Sequence, residues 1–124
     1  MEVSTNTEQV FSRLREWGCD VSGGLERFLE DEDLYIRCLK RFSHDPALIN
    51  LQEYVKDENW KGAYEIAHSF KGSSGTLNLT PLYTASNELT SMLNGDYAPD
   101  KDKVDEQVKK LTGLYSDYCH AVGR

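Results

Sequence analysis

The run Asn59-Trp60-Lys61-Gly62-Ala63-Tyr64-Glu65-Ile66-Ala67-His68-Ser69-Phe70-Lys71-Gly72-Ser73-Ser74-Gly75-Thr76-Leu77 keeps a helical repeat through a composition that resists it. Small and apolar residues recur at Trp60, Ala63, Ala67, Phe70, Ser74 and Leu77, the spacing of one helix face. Yet Gly72-Ser73-Ser74-Gly75-Thr76 is a poor helix former, and each interior glycine costs about 1 kcal/mol relative to alanine. A helix that accepts two such glycines has a packing or functional reason for them. Gly72 and Gly75 stand at i+4 and i+7 from His68, on one stripe. Either they let two helices of the chain approach closely, or they leave room for something else.

The chemistry on that stripe favours the second reading. His68 is a nucleophile with a tunable charge. Lys71, one turn on, can hold an anion that forms on the histidine. Gly72 removes a side chain that would block an approaching partner. Together these residues point to a histidine that takes a phosphoryl group from one protein and hands it to another.

The composition sets bounds around this stretch. The chain has 124 residues, enough for one domain with its own core. No apolar run is long enough to span a bilayer, and the first residues lack the basic and apolar regions of a signal peptide. The formal net charge is −7, which disfavours nucleic acid and anionic membrane as partners. Acidic residues are spread over 26–33, 53–65 and 96–106 and read mainly as solvated surface. The three cysteines, Cys19, Cys38 and Cys119, are odd in number and form no CxxC pair. They fit reduced thiols in a cytoplasm, with Cys38 and Cys119 near apolar helical positions and expected in the core. No histidine pair has ligand spacing and no glycine-rich nucleotide loop precedes a lysine, so no metal or nucleotide cofactor is expected.

Outward from the histidine segment, the chain reads as helix throughout. Val10, Phe11, Leu14 and Trp17 share a face over 7–17, which Gly18 ends. Leu25, Phe28 and Leu29 mark a short helical piece after Asp20 and Ser22. Asp31 is placed to cap a helix carrying Tyr35, Cys38, Leu39 and Phe42. Ser43-His44-Asp45-Pro46 interrupts it, with Asp45 a second cap and Pro46 suited to a first turn. Leu48, Leu51 and Val55 then continue the apolar stripe, as across a kink. Asp57 or Asn59 caps the histidine helix, which runs to about Asn78. Thr80-Pro81 opens a helix with Leu82, Ala85, Ser86, Leu89 and Leu93 inward, closed by Asn94-Gly95. After a loop at 95–100, the last helix carries Val104, Val108, Leu111, Tyr115, Tyr118 and Val122. Short connections favour antiparallel neighbours. The expected fold is all-α: an antiparallel four-helix bundle over about 32–57, 59–78, 81–94 and 101–121. As domains, this is one unit over 1–124, with a helical cap at 1–30 and the bundle at 31–122.

These residues resemble histidine-containing phosphotransfer (HPt) domains of two-component phosphorelays. The family motif is a histidine followed by x-x-Lys-Gly-Ser within a bundle helix that starts at Asp/Asn-Trp. Here it stands as Asn59-Trp60, then Ala67-His68-Ser69-Phe70-Lys71-Gly72-Ser73-Ser74-Gly75-Thr76-Leu77-Asn78-Leu79. The flanks also match, at Gly18-Cys19-Asp20-Val21, Leu25-Glu26-Arg27-Phe28, Leu34-Tyr35, Phe42, Leu82-Tyr83 and Glu88-Leu89. The likeness covers roughly 17–95, and the one departure is Phe70, where leucine is common.

The resemblance implies that His68 is phosphorylated, through Nε2, that Lys71 neutralises the added charge, and that Gly72 clears space for a docking receiver domain. Lys61, Tyr64, Glu65 and Gly75 share the stripe and are candidates for the rim of that docking surface. Glu65 could instead hydrogen-bond the imidazole, and Tyr64 could pack at the core edge. Ser69 and Ser73 could bond a phosphoryl oxygen or turn back to helix carbonyls. His44, in the Ser-His-Asp-Pro break, and His120, near the last helix end, are weaker candidates. The chain supplies a nucleophile and a cation but no evident acidic metal pocket, so the divalent cation of phosphoryl transfer is expected in the partner. The expected role is a cytoplasmic, monomeric phosphocarrier without kinase activity. Its partners are response-regulator receiver domains and a hybrid sensor histidine kinase. Two other readings stay open. A sensor kinase's dimerisation domain would place an acidic residue directly after the histidine, where Ser69 stands. A silent helical adaptor would not need the His68–Lys71–Gly72 set.

Overall fold

A glycine, a proline or a helix-capping side chain lies at or beside most of the points where the chain stops being helical. The computed structural model describes residues 2–124, with side chains from residue 6 onward. Among these residues it forms seven helices and no strand: α1 (Glu2–Trp17), α2 (Val21–Arg27), α3 (Glu32–Phe42), α4 (Ala47–Lys56), α5 (Trp60–Thr76), α6 (Thr80–Leu93) and α7 (Lys101–Ala121). Asp20, Asp31, Asn59 and Asp100 each accept a backbone N–H from the first turn of α2, α3, α5 and α7 respectively. Asn59 rather than Asp57 therefore caps the histidine helix, and Asp57 stands at the end of α4. Asn78 takes a left-handed φ of 58° directly after α5, and the Leu79 N–H reaches back to the Ser74 carbonyl.

The bundle is a ring of four helices. Helix α5 packs against both α4 and α6, α6 packs against α7, and α4 closes on α7. Connections of a few residues force each helix to run back along the last. The all-α bundle read from the sequence is the fold observed. None of the helices among the described residues is long and apolar enough to cross a membrane.

The stretch 32–57 is two helices and not one kinked helix. Pro46 has no N–H to donate and pushes Asp45 out of helical geometry. Asp45 Oδ1 accepts the Ala47 N–H at 2.8 Å, and Pro46 itself stands at the N-cap of α4. Helix α7 then ties the break down. The Tyr115 hydroxyl donates to the Phe42 carbonyl and accepts the Asp45 N–H at 3.2 Å. The Tyr118 hydroxyl donates to the Leu39 carbonyl, and the Cys119 thiol faces the Ser43 carbonyl at 3.5 Å. Two buried tyrosines thus satisfy the carbonyls that the end of α3 leaves over.

These tyrosines also form the apolar floor beneath α5. Phe42 and Phe70 lie 5.0 Å apart between ring centroids, and Tyr115 meets both rings edge-on at 5.9 and 5.7 Å. Burying Phe70 here, together with Ala63, Ala67 and Ser74, turns the opposite face of α5 to solvent. That opposite face carries His68.

The first two helices are part of the same packing. Val10, Phe11 and Leu14 of α1 are buried, Phe11 lies 5.7 Å from Tyr35, and Trp17 lies 6.2 Å from Tyr118. Helix α1 starts at Glu2, five residues before the sequence pattern indicated, because residues 2–6, apolar only at Val3, give no apolar periodicity to read. Cys19 and Cys119 are buried, whereas Cys38, expected in the core, is only half-buried and lines a groove.

Candidate functional site

The exposed face of α5 is built by what lies under it and beyond its end. Ala63, Ala67, Phe70 and Ser74 hold the inner face, so His68, one position past Ala67, points to solvent. Its imidazole makes no hydrogen bond or ion pair among the described residues. Its one close partner is Tyr64, whose ring stacks on it at 5.8 Å between centroids with 14° between planes. Tyr64 is half-buried and packs against the core edge, as one of the two readings for it expected.

Lys71 is half-buried and Lys61 and Glu65 are exposed, and none of the three has an ion-pair partner among the described residues. Glu65 does not hydrogen-bond the imidazole. Lys71 sits at i+3 from His68 with its ammonium uncommitted, one helical turn away. In this respect it differs from Lys101 and Lys110, which pair with Asp105 and Glu88 at 2.9 and 3.8 Å.

The two glycines of the stripe have different surroundings. A Cβ on Gly72 would meet nothing within 4 Å, so close packing inside the chain does not explain it. A Cβ on Gly75 would come within 3.1 Å of the Tyr83 ring on α6. Gly75 therefore serves the α5–α6 contact, the packing role that the sequence left open for both. The hydroxyls around them divide similarly. Ser74 Oγ and Thr76 Oγ1 donate back to the Phe70 and Gly72 carbonyls at 2.9 and 3.0 Å, while Ser69 and Ser73 make no such bond.

Two hollows flank Gly72. One, of about 800 Å³, lies toward α3 and is lined by Phe28, Cys38, Arg41, Phe42, Ser69 and Gly72 among others. The other, of about 430 Å³, lies toward α6 with Arg27, Gly75, Thr80 and Tyr83. His44 lines the first at its α3–α4 end, while His120 lies away on α7. The structure thus brings His68, Tyr64, Lys71 and Gly72 to one solvent-facing surface and leaves His120 apart.

Sequence reasoning missed the part that α2 plays. Arg27 donates to the Gly75 carbonyl at 2.6 Å, Tyr35 to the Leu77 carbonyl at 2.7 Å, and Asn78 to the Asp20 carbonyl at 3.0 Å. The first two satisfy carbonyls at the end of α5, from α2 and α3, and the third ties Asn78, just past α5, to the start of α2. Gly23 and Gly24 make the approach possible. A Cβ on Gly24 would lie 2.2 Å from the Tyr35 hydroxyl, and one on Gly23 2.5 Å from an Asp20 carboxylate oxygen. The adjacent glycines inside a helical piece were the available signal. Through this contact Phe28 becomes a wall of the larger hollow.

Burial shifts the groups beneath the site. It pushes the Cys19 thiol up to about 11, partly offset by the Thr80 N–H, and the Tyr115 hydroxyl up to about 12. Tyr35 and Tyr118 move further in the same direction for the same cause. Among the described residues no three His, Cys, Asp or Glu side chains cluster so as to hold a metal ion.

Compared with known families, the chain matches the model of the Hpt domain over residues 39–120. No curated protein and no solved structure matched. Domains of that family act in phosphorelays as histidine phosphocarriers, working with receiver domains and kinases. The matched segment covers more than half of the chain and contains α4 to α6, α7 up to its last residue, and the end of α3 that Tyr115 and Tyr118 hold, so the chain belongs to the Hpt domain family.

Proposed function

We propose that His68 accepts a phosphoryl group from the phospho-aspartate of one receiver domain and passes it, reversibly, to the aspartate of another. The observation that carries this reading is an exposed imidazole with no hydrogen bond or ion pair among the described residues, beside an uncommitted lysine and an open glycine. An imidazole nitrogen, Nε2 on this reading, attacks phosphorus in line with the breaking P–O bond, whose electrons return to the aspartate carboxylate. The reverse step breaks the N–P bond and restores the imidazole lone pair.

Lys71 neutralises the charge that arrives on His68, which is about −2 near neutral pH. Gly72 admits the receiver to within reach of the ring. The receiver supplies the divalent cation that phosphoryl transfer uses, so the chain needs no cofactor of its own and has no kinase activity. The remaining exposed residues of the stripe, Lys61 and Glu65, rim the contact. The chain acts as a monomer with receiver domains and a hybrid sensor kinase, in a cytoplasm that keeps Cys19, Cys38 and Cys119 as thiols.

The test is a reconstituted relay: kinase with its receiver, this chain, and a second receiver. Labelled phosphoryl should reach the second receiver only when the chain is present, with a phosphohistidine intermediate. Label reaching the second receiver equally well without the chain would refute the role.

A further inference from the structure

Tyr64 does more at this site than its position on the stripe indicates. It lies one helical turn before His68, and side chains on a helix lean toward its N-terminus, so the imidazole comes down over the tyrosine ring. The rings are 5.8 Å apart and within 14° of parallel, and the tyrosine is itself seated against the core. A half-buried ring thus holds an exposed one.

We propose that Tyr64 is a positioning residue for phosphoryl transfer, fixing the plane of the His68 ring with its reactive edge toward the partner. This rests on His68 being the phosphorylated residue. The nitrogen lone pairs of imidazole lie in the ring plane, at its edge. A stack covers one face and restrains rotation while leaving that edge open, so reactive orientations are populated before the donor arrives. As nitrogen attacks, positive charge builds on the imidazole, and the negative face of the tyrosine ring lies against it. Neither effect needs the tyrosine hydroxyl or a contact between Tyr64 and the receiver.

A small phosphodonor separates this role from docking. With phosphoramidate, the imidazole lone pair forms the N–P bond and the donor's P–N bond breaks. Nitrogen leaves as ammonia and takes up the proton that the other ring nitrogen gives up. The full chain, Tyr64→Phe and Tyr64→Leu are compared for the rate of phosphohistidine formation, alongside the NMR shift of the His68 Cε1–H and the thermal midpoint. Tyr64→Leu keeps an apolar side chain at the core edge and removes the ring. The expected result is a rate about three- to tenfold lower for Tyr64→Leu, the range that an aromatic pair implies, with both phosphoramidate and a receiver as donor. Its Cε1–H should lose the tyrosine ring-current shift at an unchanged thermal midpoint, and Tyr64→Phe should match wild type.

Tyr64→Leu slowed with the receiver alone would make Tyr64 a docking contact and overturn the proposal. So would a Tyr64→Leu rate equal to wild type with both donors, or Tyr64→Phe behaving like Tyr64→Leu. Wild-type protein that stays folded yet never carries phosphoryl on His68 would overturn the proposed function and this inference together.

Discussion

Replacing Gly72 separates stability from function at a single position. It lies inside α5 with helical backbone, and a Cβ there meets nothing within 4 Å. Alanine should therefore gain the helix propensity that glycine forgoes, about 0.8–1.0 kcal/mol, with no steric term against it. For a chain of this size that raises the thermal midpoint by about 4 °C. Glutamine, also a good helix former, should retain most of the gain while projecting a long side chain beside His68. Receiver-dependent transfer to Gly72→Gln should fall at least tenfold, whereas phosphorylation by phosphoramidate, which needs no docking, should change less than threefold. Calorimetry and the two transfer assays on one protein preparation read all of this. A Gly72→Ala protein that melts below wild type would show that the position is not open. Undiminished receiver transfer to Gly72→Gln would refute partner clearance as the reason for the glycine.

Other positions test the frame around the site. Gly24→Ala drives a methyl into the Tyr35 ring, which is fully buried and hydrogen-bonded to the Leu77 carbonyl, and should cost about 2–3 kcal/mol in urea unfolding; a neutral result would mean that α2 is not seated as described. The Ser86 hydroxyl is buried without a hydrogen-bond partner among the described residues, so Ser86→Ala should be neutral or stabilising by about 1 kcal/mol, and a clear loss of stability would contradict that. Stability should also fall in alkali. Cys19 rises from 9.0 to about 11 and Tyr115 from 10.0 to about 12, so the unfolded chain releases these protons first; their contribution is complete below pH 9 and is lost progressively toward pH 12. Exposed tyrosines such as Tyr97 ionise without unfolding, but the share of tyrosinate absorbance from buried Tyr35, Tyr115 and Tyr118 should appear together with loss of helical circular dichroism, and full ionisation of a still-folded protein would contradict the burial.

The parts of the fold that were legible in the sequence are those set by one helix at a time. Leu82, Ala85, Ser86, Leu89 and Leu93 of α6, which the helical spacing picks out, are all buried, and Thr90 joins them. The same holds for Asp31 and Asn59, whose short polar side chains precede periodic runs and do cap them. What was not legible depends on two distant segments meeting. The break at 43–46 is held by Tyr115 and Tyr118, which as sequence are simply two more members of the α7 apolar stripe. Gly23 and Gly24 make sense only once Tyr35 and Asn78 lie across them.

The site divides along the same line. His68, Lys71 and Gly72 could be named because helical spacing alone places them together. That Gly75 faces Tyr83, while Gly72 faces solvent, follows from where α6 lies and is invisible in a run that shows two similar glycines. The 14° angle between Tyr64 and His68 likewise depends on side-chain rotamers and on the core edge that supports the tyrosine.

The central claim is that His68 carries the phosphoryl group. It is tested most directly by incubating a labelled, phosphorylated receiver domain with the wild-type chain and with His68→Gln, both confirmed as folded. The account expects label on the wild type alone, lost in acid and kept in base as a phosphohistidine requires. Label that persists on His68→Gln, or none on wild type across several receivers, would contradict it.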